Sequence, residues 1–226
     1  MYMKKKARHE HKMYINTSDY MGLVSKLKYI CSLDNNALED GKYKIRSLYF
    51  DNYLDKAVME KFSGVSRREK FRIRLYNDDP SFIRLEKKSK FNRLCYKESK
   101  TLTKEECKRI LNGEYSFLKE KKESLFMELY AKINYQSLRP RIIVDYKRQA
   151  YIYPAGNVRI TLDSDIRMSN NTNGLFDREL ITVPSANAII LEIKYDGFLP
   201  EIIRQIIRID NRNETEFSKY GVSRLV

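Results

Sequence analysis

The sequence predicts an α+β fold built on an antiparallel sheet. Three observations lead there. Segments that alternate apolar and polar residues dominate 44–99 and 141–196. Short connections rich in turn residues, such as NDDP at 77–80, join consecutive segments and suit hairpins. Helical patterns occur without the regular strand–helix–strand rhythm of a parallel sheet. A chain of 226 residues is long enough for a sizeable core and is read as a single domain, 1–226.

Each element follows from its local pattern. Residues 8–15 form a first strand, and TSDYMGLVSKLKYI a helix capped by Thr17 or Ser18. KIRSLYFDN (44–52) is a strand, and YLDKAVMEKF (53–62) a helix ended by Gly64. REKFRIRLY (68–76), SFIRLEKKSK (81–90) and RLCYKES (93–99) are strands joined by turns. Thr103 to Glu106 is a capping box that opens a helix through Leu111, with Gly113 at its C-terminal cap. A longer helix spans Leu118 to Gln136, and Pro140 breaks the pattern. The strands RIIVDYKRQAY (141–151), VRITLDSD (158–165) and AIILEIKYD (188–196) follow. Pro200 opens a final helix with Ile202, Ile203, Ile206 and Ile207 on one stripe.

Composition narrows the function classes. The net charge of +14 points to a polyanionic partner: nucleic acid, an anionic membrane surface or phosphate compounds. Cys31, Cys95 and Cys107 are odd in number and contain no CxxC pair, which argues against a disulfide framework and a zinc knuckle, and for a reducing, intracellular setting. The basic start, with Lys4, Lys5 and Lys6, has no apolar stretch after it and does not read as a signal peptide. No apolar run approaches the ~20 residues of a membrane span.

The alternation has a second consequence. In FRIRLY (71–76), Phe71, Ile73 and Leu75 share one face, and Arg72 and Arg74 the other. Arg84, Glu86, Lys88 and Lys90 fall together, as do Arg93 and Lys97. Tyr146 and Arg148 lie on the side of Ile142 and Val144. Arg159, Thr161 and Asp163 oppose Val158, Ile160 and Leu162, and Glu192 and Lys194 oppose Ile189, Leu191 and Ile193. One such strand reads as a sheet face wetted by solvent. The set reads differently, because like charges on neighbouring strands repel unless an anion offsets them. Closing the sheet around its charged face would remove its edges and focus the field on one long anion.

These stretches resemble the VTC domain, the polyphosphate polymerase module of the triphosphate tunnel metalloenzyme (CYTH-like) superfamily. The resemblance rests on RHEHKMYI (8–15), IRSLYFDN (45–52), REKFRIRLY (68–76), LEKKSK (85–90), YKRQAY (146–151), VRITLD (158–163), LEIKYDG (191–197) and FSKYG (217–221), in family order over nearly the whole chain. It implies an antiparallel β-barrel tunnel with a polar, cationic interior and helices outside. It also implies ATP- and metal-dependent polyphosphate synthesis, with Mn²⁺ or Mg²⁺. By the same resemblance, Arg72, Arg74, Lys88, Arg148 and Arg159 act on the phosphates. Lys12, Lys97, Tyr146, Lys194, Ser218 and Lys219 are further substrate contacts, and Glu192 binds metal. Glu10 and Glu86 either add metal contacts or counter their cationic neighbours. Two positions depart from the pattern: Lys90 stands in place of a histidine, and Glu216 in place of a basic residue.

Phosphoryl transfer suits this set, since its transition state is loose and charge-rich and catalysis is mainly positioning and electrostatics. The acceptor is a phosphate oxygen that is already ionised, so no strong general base is needed. The sequence shows no Ser/His/Asp or Cys/His set, P-loop or kinase loop, and its two histidines, His9 and His11, are read as flanking surface residues. Asp163 is read as structural, bonding a turn. Three rival readings stay open. A triphosphatase of the same superfamily would use an ExExK strand, but Arg8 stands at its first glutamate, before Glu10 and Lys12. A non-catalytic polyphosphate-binding module is the second. Nucleic-acid binding, the third, rests on charge alone without a recognised motif. The expected partners are ATP and polyphosphate. The expected location is the cytoplasm, where a membrane protein at the inner face of a membrane would be needed for any export.

Overall fold

In a computed structural model of the protein, the described residues are 8–91, 94–186, 188–209 and 218–224. Lys4, Lys5, Lys6, Arg93, Glu216 and Phe217 lie outside them. The elements run β1 (His9–Ile15), α1 (Thr17–Ile30), β2 (Ser32–Leu33), β3 (Lys42–Asp51), α2 (Lys56–Phe62), β4 (Arg67–Tyr76), β5 (Asp79–Phe91), β6 (Leu94–Leu102), α3 (Lys104–Leu111), α4 (Ser124–Gln136), β7 (Arg139–Tyr153), β8 (Val158–Ser169), β9 (Val183–Ala186), β10 (Ile189–Tyr195), α5 (Glu201–Ile207) and α6 (Lys219–Val222). The strand order is β1-β10-β8-β7-β3-β4-β5-β6, with β2 on β7 and β9 on β8. Every pairing whose register is described is antiparallel, as the α+β reading expects.

The chain divides into two units. The first comprises Met1–Lys44, Tyr146–Ile166 and Ala186–Ser218. Its core joins Ile15 of β1, Val158, Ile160 and Leu162 of β8, and Leu191 and Ile193 of β10 to Leu23 and Leu27 of α1 and Ile203 and Ile207 of α5. The N-cap of α1 is Asn16, one residue before the expected pair; its side chain accepts from the Asp19 amide, and Asp19 answers at the Asn16 amide. That reciprocal pair satisfies two otherwise orphaned donors. The stripe of α5 is narrower than expected, since Ile202 is exposed while Ile203 and Ile207 are buried.

The second unit comprises Ile45–Asp145, Arg167–Ser185 and Lys219–Val226. Leu48 and Phe50 of β3, Phe71, Ile73 and Leu75 of β4, and Ile83 and Leu85 of β5 pack against Cys107 and Ile110 of α3 and Leu125, Phe126, Leu129 and Ile133 of α4. Each such side chain contributes about 1.5–3 kcal/mol by leaving water. Asn77 and Asp78 both take φ of 53°, the mirror-image turn that matches the twist of a β-hairpin. Thr103 and Glu106 form the expected capping box.

Several expectations are corrected here. The α2 helix begins at Lys56 rather than 53, because Asn52 Oδ1 accepts from the Leu54 and Lys56 amides and Asp51 Oδ1 from the Ala57 amide. The helix expected from Leu118 begins only at Ser124, behind a 3-10 turn at Ser116–Lys119. The wholly charged residues 120–123 between them offer no side chain to anchor a helical turn in the core. Pro140 does not end the pattern before the strand; it is the second residue of β7, a position where a missing amide is tolerated. The helix after Pro200 is followed by α6, so it is not the last. The helix-side face also holds two buried cations that alternation assigns to apolar neighbours. Arg46 forks onto Asp145 and donates to the carbonyls of Leu175 and Asp177, while Lys87 pairs with Glu128 of α4 and with Glu69. Among the described residues no helix is long and apolar enough to cross a membrane.

Candidate functional site

The face of β4 opposite the core decides how FRIRLY is read. Arg74 is 5% exposed, Glu86 3% and Ser47 0%. The centre of the face is thus shielded from solvent, whereas Arg72 and Arg84 are partly exposed and Lys88 and Lys97 exposed. Register stacks the face in rows. Lys70 pairs with Lys88 and Lys88 with Lys97; Arg72 with Glu86 and Glu86 with Ser99; Arg74 with Arg84 and Arg84 with Thr101. Strands lie about 4.8 Å apart and rows about 7 Å. Six cations and one carboxylate therefore share a small area of one unit.

Glu86 organises that area. Its Oε2 accepts from Arg72 Nε at 2.7 Å and Nη2 at 2.6 Å, with Arg74 Nη1 3.9 Å away. Its Oε1 meets Lys97 Nζ at 2.5 Å. Burial alone would raise the Glu86 pKa, but Arg72, Arg74 and Lys97 outweigh it and hold it at about 2. Arg72 also donates to the Tyr49 hydroxyl at 3.2 Å, and Arg74 to Ser47 Oγ at 3.0 Å. Arg84 is held by Ser99 and Thr101. Burial raises the Tyr49 pKa, yet Arg72, Arg74 and Lys219 reverse this and lower it, which brings Lys219 into the same field.

Lys219 reaches that position through its neighbour. Tyr220 is buried, stacks on Tyr49 with ring centroids 5.1 Å apart, and donates to Asp51 Oδ2 at 2.6 Å. Asp51 therefore caps α2 with one oxygen and anchors α6 with the other. In the FDN and FSKYG stretches, the Asp and the Tyr are positioning residues.

The first unit shows a different charge pattern. Register pairs Glu10 with Lys194 and Lys194 with Arg159, then Lys12 with Glu192 and Glu192 with Thr161. Between β1 and β10 each acid faces a base, the favourable arrangement, while Lys194 and Arg159 are neighbours of like charge. Lys12 binds Glu10 and lies 3.7 Å from Glu192 Oε1; Lys194 lies 2.9 Å from Glu192 Oε1 and 3.9 Å from Glu10 Oε2. Arg148 Nη2 approaches Glu192 Oε2 at 4.0 Å. Asp163 lies within β8 rather than at a turn. It grips Arg148 with both oxygens, at 2.6 and 2.8 Å, and Arg148 stands over the buried Tyr146 ring. Although burial disfavours the Arg148 charge, Asp163 and Glu192 push its pKa well up. Arg159 turns instead to Asp34 at 2.6 Å and the Tyr43 hydroxyl at 3.0 Å.

The structure thus gathers Arg72, Arg74, Lys88 and Lys97 on one face, with Lys219 in their field and Lys90 one row beyond Lys88, opposite Arg68. In the other unit it gathers Lys12, Lys194 and Arg148 about Glu192 and Glu10; Ser218 lies just before α6. Among the described residues no group of three or more His, Cys, Asp or Glu is arranged to hold a metal. His9 and His11 stack on Tyr195. Sequence reasoning missed Tyr49, Ser47 and Lys70, although each shares strand parity with Arg72 and Arg74 or lies opposite them in register. It also missed Asp34, whose loop carries no such signal, and Tyr43, which shares strand parity with Ser47 and Tyr49.

Comparison with known proteins agrees with this architecture. No curated protein matches the chain. A solved structure of a Bacillus halodurans protein proposed to be an adenylate cyclase is 16% identical, covers 90% of this chain and 87% of its own, and superposes with a TM-score of 0.53. At that identity the likeness shows a shared fold alone. A conserved hypothetical protein from Pyrococcus furiosus is 12% identical, with 89% and 86% covered and a TM-score of 0.43. The model of the VTC domain matches residues 7–226, and with that extent of agreement the chain belongs to the VTC domain family.

Proposed function

We propose that the protein is a polyphosphate polymerase: a terminal phosphate oxygen of the chain attacks the γ-phosphorus of ATP, the bond to the β-phosphate oxygen breaks, ADP leaves, and the chain grows by one phosphate. The observation that supports it best is the excess of cations that one sheet face gathers around a single buried carboxylate, Glu86. Such an excess is unfavourable until an anion of several charges occupies it.

In this reading Arg72 and Arg74, oriented by Glu86, Tyr49 and Ser47, fork onto phosphate oxygens, and Lys88 and Lys97 add point charges. Arg148, fixed by Asp163, presents a guanidinium that cannot lose its proton. Lys12, Lys194, Lys219 and Ser218 supply further contacts. Glu86 acts as counter-ion, because three cations around it repel a divalent ion. Mn²⁺ or Mg²⁺ would be held by Glu10 and Glu192, where two carboxylates rather than one face Lys12 and Lys194, a number that suits an ion taking its other ligands from substrate oxygens. When bound, the ion supplies charge neutralisation of the triphosphate. Arg8 favours this reading over hydrolysis. It pairs with Asp196 at 2.9 Å, a structural contact where an ExExK enzyme needs a metal-binding glutamate.

The test is purified protein with ATP, Mn²⁺ or Mg²⁺, and a short polyphosphate primer. ADP release with chain growth is expected. Orthophosphate without growth indicates a triphosphatase; neither product, with tight polyphosphate binding, indicates a binding module. Arg72→Ala and Glu192→Ala should each abolish synthesis with unchanged circular dichroism. Full activity in either variant refutes the assignment.

A further inference from the structure

Lys70 is not among the residues read above as phosphate contacts, yet register puts it in one rung with Lys88 and, beyond it, Lys97, on the face that carries Arg72 and Arg74. Its Nζ stands 5.4 Å from the centroid of the Tyr220 ring, which Asp51 holds in place. Among the charges that act on it, Lys61 of α2, Arg68 of its own strand and Lys88 of β5 are positive, and Asp51 of β3 is negative. We propose that Lys70 completes a three-lysine rung that grips one phosphate of an inorganic phosphate chain and takes a proton from solvent as it does so.

Three like charges at directly paired positions repel, and the chain can relieve this by leaving one lysine neutral until an anion arrives. Lys70 is the member so poised: burial, then Lys61 and Arg68, bring its pKa down to about 7. A bound phosphate reverses the sign of the local field and restores the ordinary lysine range. Binding is then coupled to protonation, and the sign is fixed. Below the free-state pKa the lysine is already charged and uptake vanishes; above it, each binding event must first load a proton. From pH 7 to pH 8 the affinity loses about fivefold through Lys70, because at pH 7 about half of the free lysines are already charged.

The inference rests on the polyphosphate reading but is tested apart from it, with tripolyphosphate as probe and no ATP. Calorimetric titration at pH 8 in two buffers of different ionisation enthalpy measures proton uptake for the wild type, Lys70→Arg and Lys70→Met. The probe's own titration is common to all three. The wild type should take up about 0.9 proton more than either variant, from the populations of a group near pKa 7. Between pH 6.5 and 8.5 its affinity should fall more steeply than that of Lys70→Arg. At pH 6.5 Lys70→Met should bind about tenfold more weakly than the wild type, the loss of one charge-assisted contact. Equal uptake in all three proteins overturns the inference, as does wild-type affinity in Lys70→Met at pH 6.5 or no tripolyphosphate binding by the wild type. Lys70-dependent uptake without chain growth upholds the rung and removes only the polymerase reading; chain growth with Lys70-independent uptake does the reverse.

Discussion

Glu86→Gln isolates the counter-ion that organises the cationic face. The glutamine keeps the shape but removes the charge, so Arg72, Arg74 and Lys97 lose their shared partner. The folded pKa of Glu86 is about 2 against an ordinary 4.5, a depressed carboxylate. Its contribution is therefore present above the unfolded value and lost as pH falls through the folded one. At about 1.4 kcal/mol per unit, the shift corresponds to about 3 kcal/mol, with no large solvent discount because the side chain is 3% exposed. Breaking a buried pair by removing one member costs a similar 3–5 kcal/mol. Urea unfolding at pH 7, 5 and 3, followed by far-ultraviolet circular dichroism, reads both effects. Glu86→Gln should be about 3 kcal/mol less stable at pH 7, and the gap should close as pH falls from about 4.5 towards 2. An equal midpoint at pH 7, or parallel losses between pH 5 and 3, would refute the reasoning. Added tripolyphosphate should narrow the gap at pH 7, since the anion replaces the missing charge.

Two further substitutions test the positioning residues. Asp163→Asn leaves Arg148 buried beside a neutral partner; it should destabilise by about 3–5 kcal/mol in the same unfolding assay and sharply reduce synthesis. Tyr220→Phe removes a buried hydrogen bond from Asp51, at a cost of about 1–3 kcal/mol. Because Lys219 follows α6 into place, tripolyphosphate affinity should weaken in that variant, which a titration at fixed ionic strength would show.

Alternation with period two belongs to a strand wherever it ends up. Phe71, Ile73 and Leu75 were therefore legible as one face, and Arg72 and Arg74 as the other, as were the faces of β5, β8 and β10. Family motifs added the expected roles. Helix ends were less legible, because the side chains that cap α1 and α2 lie outside the helical pattern: Asn16 precedes it, and Asp51 and Asn52 belong to a strand and its turn. Repetition of cations on several strands suggested an enclosed face, but not which of its members are shielded. Whether Arg74 meets solvent or protein depends on segments far away in sequence, and the alternation is the same in either case. Register likewise belongs to the tertiary structure. It decides that Glu86 takes Arg72 and Lys97, that Asp163 takes Arg148, and that Lys70, Lys88 and Lys97 form one rung of like charge. Composition could count the cations and acids; only the pairing of strands decides which cations share a carboxylate and which stand in a row of like charge.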